Sequence, residues 1–233
     1  MIKHAIKLGV MAASPCNYLP SEKESIAIVM DDDVLSSEGY TYLVQAGFRR
    51  SGNNIYRPHC GACTACHSLR VSVEHFQPSK SQKRQLNQLK RLDIQLKDTL
   101  DDNWFELYDR YISARHRDGS MYPARKDDFL SFVQSDWLTV RYLHVYDQGR
   151  LIAIAVTDDI DAGYSAIYSF FDPDHSWSLG SLCVLVQLTL ASENQKPWLY
   201  LGFQIDACSA MRYKEKFKPN QRYIAGEWVS FEK

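Results

Sequence analysis

The sequence has no long hydrophobic segment and no excess of either charge. None of its apolar runs approaches the roughly 20 residues that a membrane-spanning helix needs, and the longest, residues 182–190, is interrupted by Gln187 and Thr189. The first four residues lack the apolar stretch of a secretion signal. A formal net charge of −1 argues against general nucleic-acid binding. We therefore expect a cytoplasmic protein without a membrane partner.

The sequence also has too few cysteines for a disulfide scaffold, with six in 233 residues. A 45% share of hydrophobic residues is that of an ordinary globular protein with a sizeable core. In a cytoplasm the cysteines are better interpreted as thiols or as ligands of a metal or cluster.

The pattern of predicted elements indicates two units. Residues 1–75 hold short elements and form a small N-terminal subdomain rich in arginine and cysteine. Residues 76–233 form a mixed α/β unit, so the predicted fold class is α/β (α+β). Helices are predicted near residues 36–46, 81–91, 102–116, 127–134, 179–193 and 209–217. Strands are predicted near residues 25–30, 92–96, 138–146, 151–157, 164–170, 198–203 and 223–231, with a strand pair at 54–57 and 68–73.

Three strands at hairpin spacing, followed by helix, strand, helix and strand, resemble the acyltransferase fold of the Gcn5-related N-acetyltransferases. The coenzyme A version of that fold has a glycine-rich loop that binds phosphate before its helix. Here the equivalent residues 176–181 contain a single glycine and no leading basic residue. A coenzyme A donor is therefore disfavoured.

Positive charge is concentrated in two stretches of this nearly neutral chain. Residues 49–91 contain nine lysines and arginines against one acid, and residues 212–222 contain five against one. Guanidinium groups bind carboxylates and phosphates in bidentate fashion. The arginine-rich block therefore predicts an anion-binding site, although pairing with the acidic segments of the chain is an open alternative.

Three cysteines, Cys60, Cys63 and Cys66, are spaced so that one tight loop can present their thiolates. Cys16 is the best candidate for a fourth ligand, with His59 or His67 as alternates. Four such ligands would suit zinc or an iron–sulfur cluster. Three reduced thiols in a tight loop are the other interpretation of the same pattern.

Several blocks of the sequence, in order, resemble the bacterial aminoacyl-tRNA–protein transferases, and among them the branch that transfers leucine to aspartate and glutamate. The blocks are Phe48-Arg49-Arg50-Ser51-Gly52 with Tyr56-Arg57-Pro58, Arg115-His116-x-Asp118-Gly119-x-Met121, Phe171-Asp172-Pro173 with Ser178-Leu179-Gly180, and Tyr200-Leu201-Gly202 with Met211-x-Tyr213-Lys214-x-x-Phe217-x-Pro219. The resemblance extends from about Pro15 to Trp228.

The resemblance implies an enzyme of the N-degron pathway that moves leucine from Leu-tRNA onto the α-amine of proteins beginning with Asp or Glu. Arginyl transfer to the same N-termini is the alternative, and it would require a carboxylate where leucine requires apolar walls. A metal-stapled tRNA-binding module without catalysis is a third. No cofactor is required, because the aminoacyl ester is already activated. The eukaryotic relatives carry a different cysteine pattern, with Leu19 and Thr64 here at two of its positions, so their cysteine site does not carry over intact.

The chemistry of that reaction suggests candidate roles for individual residues, although the resemblance itself assigns no catalytic residue. The acidic acceptor side chain needs a cation, for which Arg49, Arg50, Arg57 and Arg70 are candidates, with Tyr56 beside them. Polar groups that position the amine or the ribose are expected at Asp172, Asp206 and Tyr213, and backbone amides of 168–171 are expected to stabilise the oxyanion. The residues predicted to hold tRNA phosphates are Lys83, Arg84, Lys90, Arg91, Arg212 and Lys214.

Overall fold

A computed structural model describes residues 5–232 of the chain. The first four residues, on which the expectation about secretion depended, lie outside the described residues. The helices are α1 Ser37–Gln45, α2 Lys80–Leu89, α3 Trp104–Arg115, α4 Lys126–Val133 and α5 Leu179–Glu193. The strands are β1 Leu8–Val10, β2 Ser14–Pro15, β3 Lys23–Glu24, β4 Ile26–Val29, β5 Arg49–Ser51, β6 Asn54–Pro58, β7 His67–Ser72, β8 Asp93–Lys97, β9 Val140–Asp147, β10 Arg150–Ile160, β11 Gly163–Phe171, β12 Trp198–Gln204, β13 Asn220–Ile224 and β14 Glu227–Phe231.

The chain has a mixed α/β fold built on an eight-stranded sheet. The strand order is β14-β13-β7-β12-β11-β10-β9-β8, and the predicted meander of β9, β10 and β11 is antiparallel. Strand β11 pairs with β12 in parallel, across the α5 connection. A four-stranded sheet, β1-β4-β6-β5, and the small β2-β3 pair complete the strand topology. Strand β7, from the N-terminal side of the predicted boundary at residue 75, lies inside the large sheet.

Local sequence signals explain where the helices begin and what they cover. Ser79 and Gln82 form a reciprocal capping box at the start of α2, and the Ser36 hydroxyl caps α1. Helix α5 is apolar on nearly every side and packs against β10, β11 and β12 in the largest hydrophobic cluster. No helix within residues 5–232 is long and apolar enough to cross a bilayer.

Three details of the predicted secondary structure were wrong. The predicted last strand is a hairpin, β13 and β14, because Ala225 and Gly226 adopt positive φ angles and turn the chain. The predicted strand pair splits between two sheets, since β6 pairs with β4 and β5 whereas β7 pairs with β12 and β13. The predicted helix at 209–217 is a short 3₁₀ helix, Arg212–Lys216.

Candidate functional site

The parallel strands β11 and β12 separate soon after they begin to pair. Their register comprises only two residue pairs, Tyr164 with Leu199 and Ser165 with Tyr200. Beyond this point the carbonyl of Ala166 accepts a hydrogen bond from Arg49 Nη2 instead of from β12. Gly202, at φ +81°, accompanies a register shift in β12. The two strands therefore leave a cleft between them, and a cation from β5 enters it.

Arg49 and Arg50 are adjacent on β5 but have very different surroundings. Successive strand residues point to opposite faces, and Arg50 uses its five N–H donors on Asp158 and on the carbonyls of Gly52, Val133 and Gln134. Arg50 is 2% exposed and Asp158 is fully buried. Its guanidinium is therefore saturated by the protein itself. Arg49 is also buried, at 5% exposure, but it has no carboxylate partner within residues 5–232 and its Nη1 has no hydrogen bond.

Lys214 is the second buried cation of this cleft. It is 6% exposed, and its Nζ donates a hydrogen bond to the carbonyl of Phe203 at 2.6 Å. A methyl group built on Gly202 would lie 3.7 Å from both Lys214 Nζ and Arg49 Nη2. Burial, and then the Arg49 charge, lower the pKa of Lys214 to about 7. The sequence predicts that Lys214 and Arg212 both contact phosphates, but of the two only Arg212 lies at the surface.

Two cavities meet beside this cleft. The first, which we call the strand-end cavity, has a volume of about 760 Å³ and lies between α3, the β11 end and α5. The second, the cysteine cavity, measures about 480 Å³ and is lined by the N-terminal strands and the cysteine loop. Ser120 and Met121 line both cavities. Lys214 lines the first, and Phe203, its hydrogen-bond acceptor, lines the second.

The strand-end cavity is mainly apolar. Aliphatic and aromatic side chains dominate its wall, among them Ile167, Phe171, Leu201 and Met211. Tyr213, predicted as a positioning group, also lines it and is 39% exposed. Arg115, His116 and His175 are among its polar lining residues. This cavity combines space for an apolar side chain with basic groups at its edge.

Asp172, the first of the predicted polar groups, forms ion pairs with two arginines. Its two carboxylate oxygens accept hydrogen bonds from Arg110 at 2.8 Å and from Arg150 at 2.7 Å, and the residue is 5% exposed. Neither arginine was singled out in the sequence, because neither belongs to a recognisable motif. Asp172 therefore anchors the end of β11 to α3 and β10.

Asp206 follows the C-terminal end of β12, as Asp172 follows that of β11. Arg222 Nη1 donates to both of its oxygens at 2.9 Å, and Gln204 Nε2 donates at 3.0 Å. The hydrogen bond from Gln204, together with Arg222, lowers the pKa of Asp206 below its ordinary value. A carboxylate with a lowered pKa is a poor proton acceptor near neutral pH. The structure thus gives Asp172 and Asp206 structural ion pairs and leaves neither as an isolated carboxylate.

The two remaining arginines of the block, Arg70 and Arg57, also differ in their partners. Arg70 is held between the rings of Trp198 and Trp228, at 3.9 and 4.1 Å, and donates to Gln221 Oε1. Arg57 lies over the Phe48 ring at 4.8 Å and has no carboxylate partner among the described residues.

Arg57 faces open space on the other side of the cysteine loop. It lines a third cavity, of about 370 Å³, together with His59 and His67. Tyr56, on the same strand, packs edge-to-face with Phe203 and lines the cysteine cavity.

The basic residues of the connecting helix α2 are at the surface. Lys83 and Arg84 within the helix, and Lys90 and Arg91 directly after it, are all exposed. None of them has an ion pair with another described residue. Such a row of free cations can bind phosphates.

The four candidate metal ligands come close together. Cys16, Cys60, Cys63 and Cys66 all line the cysteine cavity, and each is a free thiol. Burial and the three neighbouring thiols raise the pKa of Cys66 to about 12. Within residues 5–232, however, no three His, Cys, Asp or Glu side chains have an arrangement that could hold a metal ion. The donor set does not fit a bound metal in this geometry, and no chemical step is assigned to one.

Comparison with known proteins gives two family matches and many close relatives. The model of the N terminus of arginine-tRNA-protein transferase matches residues 14–84, and that of its C terminus matches residues 103–224. An aspartate/glutamate leucyltransferase from Vibrio vulnificus is 49% identical over 97% of both chains. One from Aeromonas salmonicida is 46% identical over 97% of this chain and 96% of the relative.

Solved structures with a similar fold are far more distant in sequence. The C-terminal domain of a proposed lysylphosphatidylglycerol synthetase from Agrobacterium fabrum gives a TM-score of 0.51 at 11% identity, covering 96% of this chain and 82% of that one. The L-PGS structure from Bacillus licheniformis gives 0.50 at 12% identity, covering 72% and 60%. These two similarities concern the fold alone.

Proposed function

The chain belongs to the arginine-tRNA-protein transferase family, and we propose that it transfers leucine from Leu-tRNA to the α-amine of proteins beginning with Asp or Glu. The added leucine would mark those proteins for degradation in the N-degron pathway, in the cytoplasm. Because the aminoacyl ester is already activated, the reaction needs no metal or nucleotide. The protein must bring ester and amine together and stabilise the tetrahedral intermediate.

The wall of the strand-end cavity is the observation that carries the choice of leucine over arginine. An arginyl donor needs a free carboxylate near its guanidinium. Among the described residues that line this cavity, Asp172 is the single acid, and both of its oxygens are occupied by Arg110 and Arg150. An apolar wall without a free carboxylate favours the leucyl side chain and leaves an arginyl side chain buried and unpaired.

The acceptor would approach from the N-terminal side, where Arg49 and Arg57 have no carboxylate partner among residues 5–232. We assign the side-chain carboxylate of the N-terminal Asp or Glu to Arg57, because Arg50 and Arg70 already have partners within the protein. Arg49 is opposite Tyr56 in the β5–β6 register and therefore points to the other face of that sheet, towards Lys214. The open third cavity in front of Arg57 supports this assignment and leaves room for side chains of two lengths. Tyr56 packs between this region and Phe203.

The tRNA would lie along the exposed basic residues. Lys83, Arg84, Lys90 and Arg91 are free to contact phosphates, and Arg212 is exposed near the mouth of the strand-end cavity, which the neighbouring Met211 and Tyr213 line. Backbone amides near the end of β11 are the proposed oxyanion donors. The antiparallel meander followed by α5 and the diverging β11–β12 pair support an acyltransferase fold of the Gcn5-related type.

Incubation of the purified protein with labelled Leu-tRNA or Arg-tRNA and peptides beginning Asp, Glu, Lys or Ala tests this function directly. We expect leucine on the Asp and Glu peptides, with little transfer to Lys or Ala and at least tenfold less arginine transfer. Arginine transfer at an equal rate would show that the interpretation of the apolar cavity is wrong. Absence of any transfer, with both tRNAs bound, would favour a tRNA-binding module without catalysis.

A further inference from the structure

Leucyl transfer requires a proton acceptor, and the sequence motifs supply no obvious one. The α-amine of a protein has a pKa near 8, so at neutral pH most of it is the unreactive ammonium form. Asp172 and Asp206 are already engaged in ion pairs with arginine partners. The proton acceptor must therefore be a group that is uncharged near pH 7 and lies where the strand-end cavity and the cysteine cavity meet.

We propose that Lys214, as a neutral amine, accepts the proton from the α-ammonium group of the acceptor polypeptide, a role that rests on the proposed leucyl transfer. The residue lines the strand-end cavity, and its Nζ donates a hydrogen bond to the carbonyl of Phe203, a residue that lines both the cysteine cavity and the third cavity, in front of Arg57. Lys214 thus lies between the space assigned to the ester and the side from which the amine would enter.

The surroundings of Lys214 favour its neutral form. Arg49, from β5, faces it across Gly202, and no carboxylate within residues 5–232 pairs with either cation. The other ionisable groups that act on Lys214 are the thiols of Cys66 and Cys208, and the Tyr213 ring lies 5.9 Å away. Burial makes the Cys66 thiol hard to ionise and raises its pKa to about 12. Desolvation and an adjacent arginine both disfavour a lysine charge, and the pKa of Lys214 is about 7, close to the optimum for general base catalysis at neutral pH.

The proton balance of the step is complete with this assignment. Lys214 Nζ takes one proton from the α-ammonium, and the freed amine attacks the ester carbonyl carbon and forms the new C–N bond. Collapse of the tetrahedral intermediate breaks the bond to the ribose oxygen, which leaves with a second proton from the attacking nitrogen. The third proton stays on the amide, and Lys214 returns its proton to water.

Single-turnover rates at saturating acceptor peptide test this role. Lys214→Met and Lys214→Arg should both lose about 10²–10⁴-fold in transfer rate, because arginine keeps the positive charge but does not deprotonate. Leu-tRNA affinity should remain within about twofold. Ethylamine added to Lys214→Ala should restore leucylated peptide in proportion to its unprotonated fraction. Unfolding midpoints establish that each variant is folded.

Three results would overturn the proposal. If the Lys214→Arg variant kept more than a tenth of the wild-type transfer rate, only the positive charge at this position would matter. Weakened tRNA binding with an unchanged saturating rate would assign Lys214 to a phosphate, as first predicted from the sequence. A rate that does not fall below pH 7 in the wild-type protein would also contradict it.

The variant Arg49→Met offers a second, independent measurement. Loss of the facing charge should move the acidic limb of the pH–rate profile upward, towards the ordinary lysine pKa, and an unmoved limb would count against Lys214. Failure of wild-type leucine transfer would instead contradict the proposed function, so the two failures are distinguishable.

Discussion

Arg49 and Arg50 are neighbours in the chain and equally buried, yet one is saturated and the other is not. Arg50 is enclosed by Asp158 and three main-chain carbonyls, whereas Arg49 shares a cleft with Lys214 and has no carboxylate partner in the part of the chain that the structure describes. Burying an unpaired charge is unfavourable, and folding energy must be drawn from elsewhere to hold it there. We propose that the paired cations compared here stabilise the fold and that the unpaired ones serve the site of the reaction.

The largest effect is expected when Arg50, the paired arginine, loses its carboxylate partner. Asp158→Asn preserves side-chain shape but leaves the Arg50 guanidinium charged and buried at 2% exposure. Removing one partner of a buried pair destabilises by about 3–5 kcal/mol, which urea unfolding can measure. The matched control is Asp174→Asn, whose 82%-exposed side chain also pairs with an arginine and should change stability by less than about 1 kcal/mol. Equal losses of unfolding free energy in both variants would contradict the distinction between the buried and the exposed ion pair.

A smaller effect is expected for the free arginine Arg57. Arg57→Met should raise the KM for an Asp-initiated peptide by about 10–100-fold, the equivalent of one charged hydrogen bond of 1.5–3 kcal/mol, and leave Leu-tRNA binding unchanged. Arg70→Met is the comparison variant, because Arg70 is stacked between two tryptophans. It should lower stability by about 1 kcal/mol without changing that KM. If KM changed in Arg70→Met and not in Arg57→Met, Arg70 would be the residue that binds the acceptor carboxylate and Arg57 the one that stabilises the fold.

The fold was largely predictable from local patterns because its elements bury alternating or helical stripes of apolar residues. Helix α5 and the meander β9–β11 follow from such periodicity and from turns such as the one before Gly149. The assignment of β6 and β7 to different sheets did not follow, since adjacent strands usually pair and a cysteine loop gives no signal against it.

The site was predictable in composition but not in arrangement. The arginine block indicated anion binding, yet the partner that saturates Arg50 lies 108 residues away, in an acidic run with three aspartates. Periodicity could not say which of Asp158, Asp159 and Asp161 is buried against it. The burial of Lys214 was missed for a similar reason, because its surroundings depend on Arg49 and on the separation of β11 from β12.

The smallest effect on the protein itself is expected on α2, where unpaired cations are exposed rather than buried. Replacing Lys83, Arg84, Lys90 and Arg91 with glutamine should change unfolding free energy by no more than about 0.5 kcal/mol per substitution, because exposed charges away from partners contribute little. Leu-tRNA binding, in contrast, should weaken and become less dependent on salt, with the slope of log K against log salt falling by roughly 0.7–0.9 per lost phosphate contact. The control, Arg125→Gln with Lys126→Gln, removes two exposed cations from α4 and its N-terminal boundary and should leave that slope unchanged. If the α2 variant left the salt dependence of Leu-tRNA binding unchanged, the tRNA would bind elsewhere. The functional unpaired cations would then be those of the buried cleft and of the Arg57 cavity.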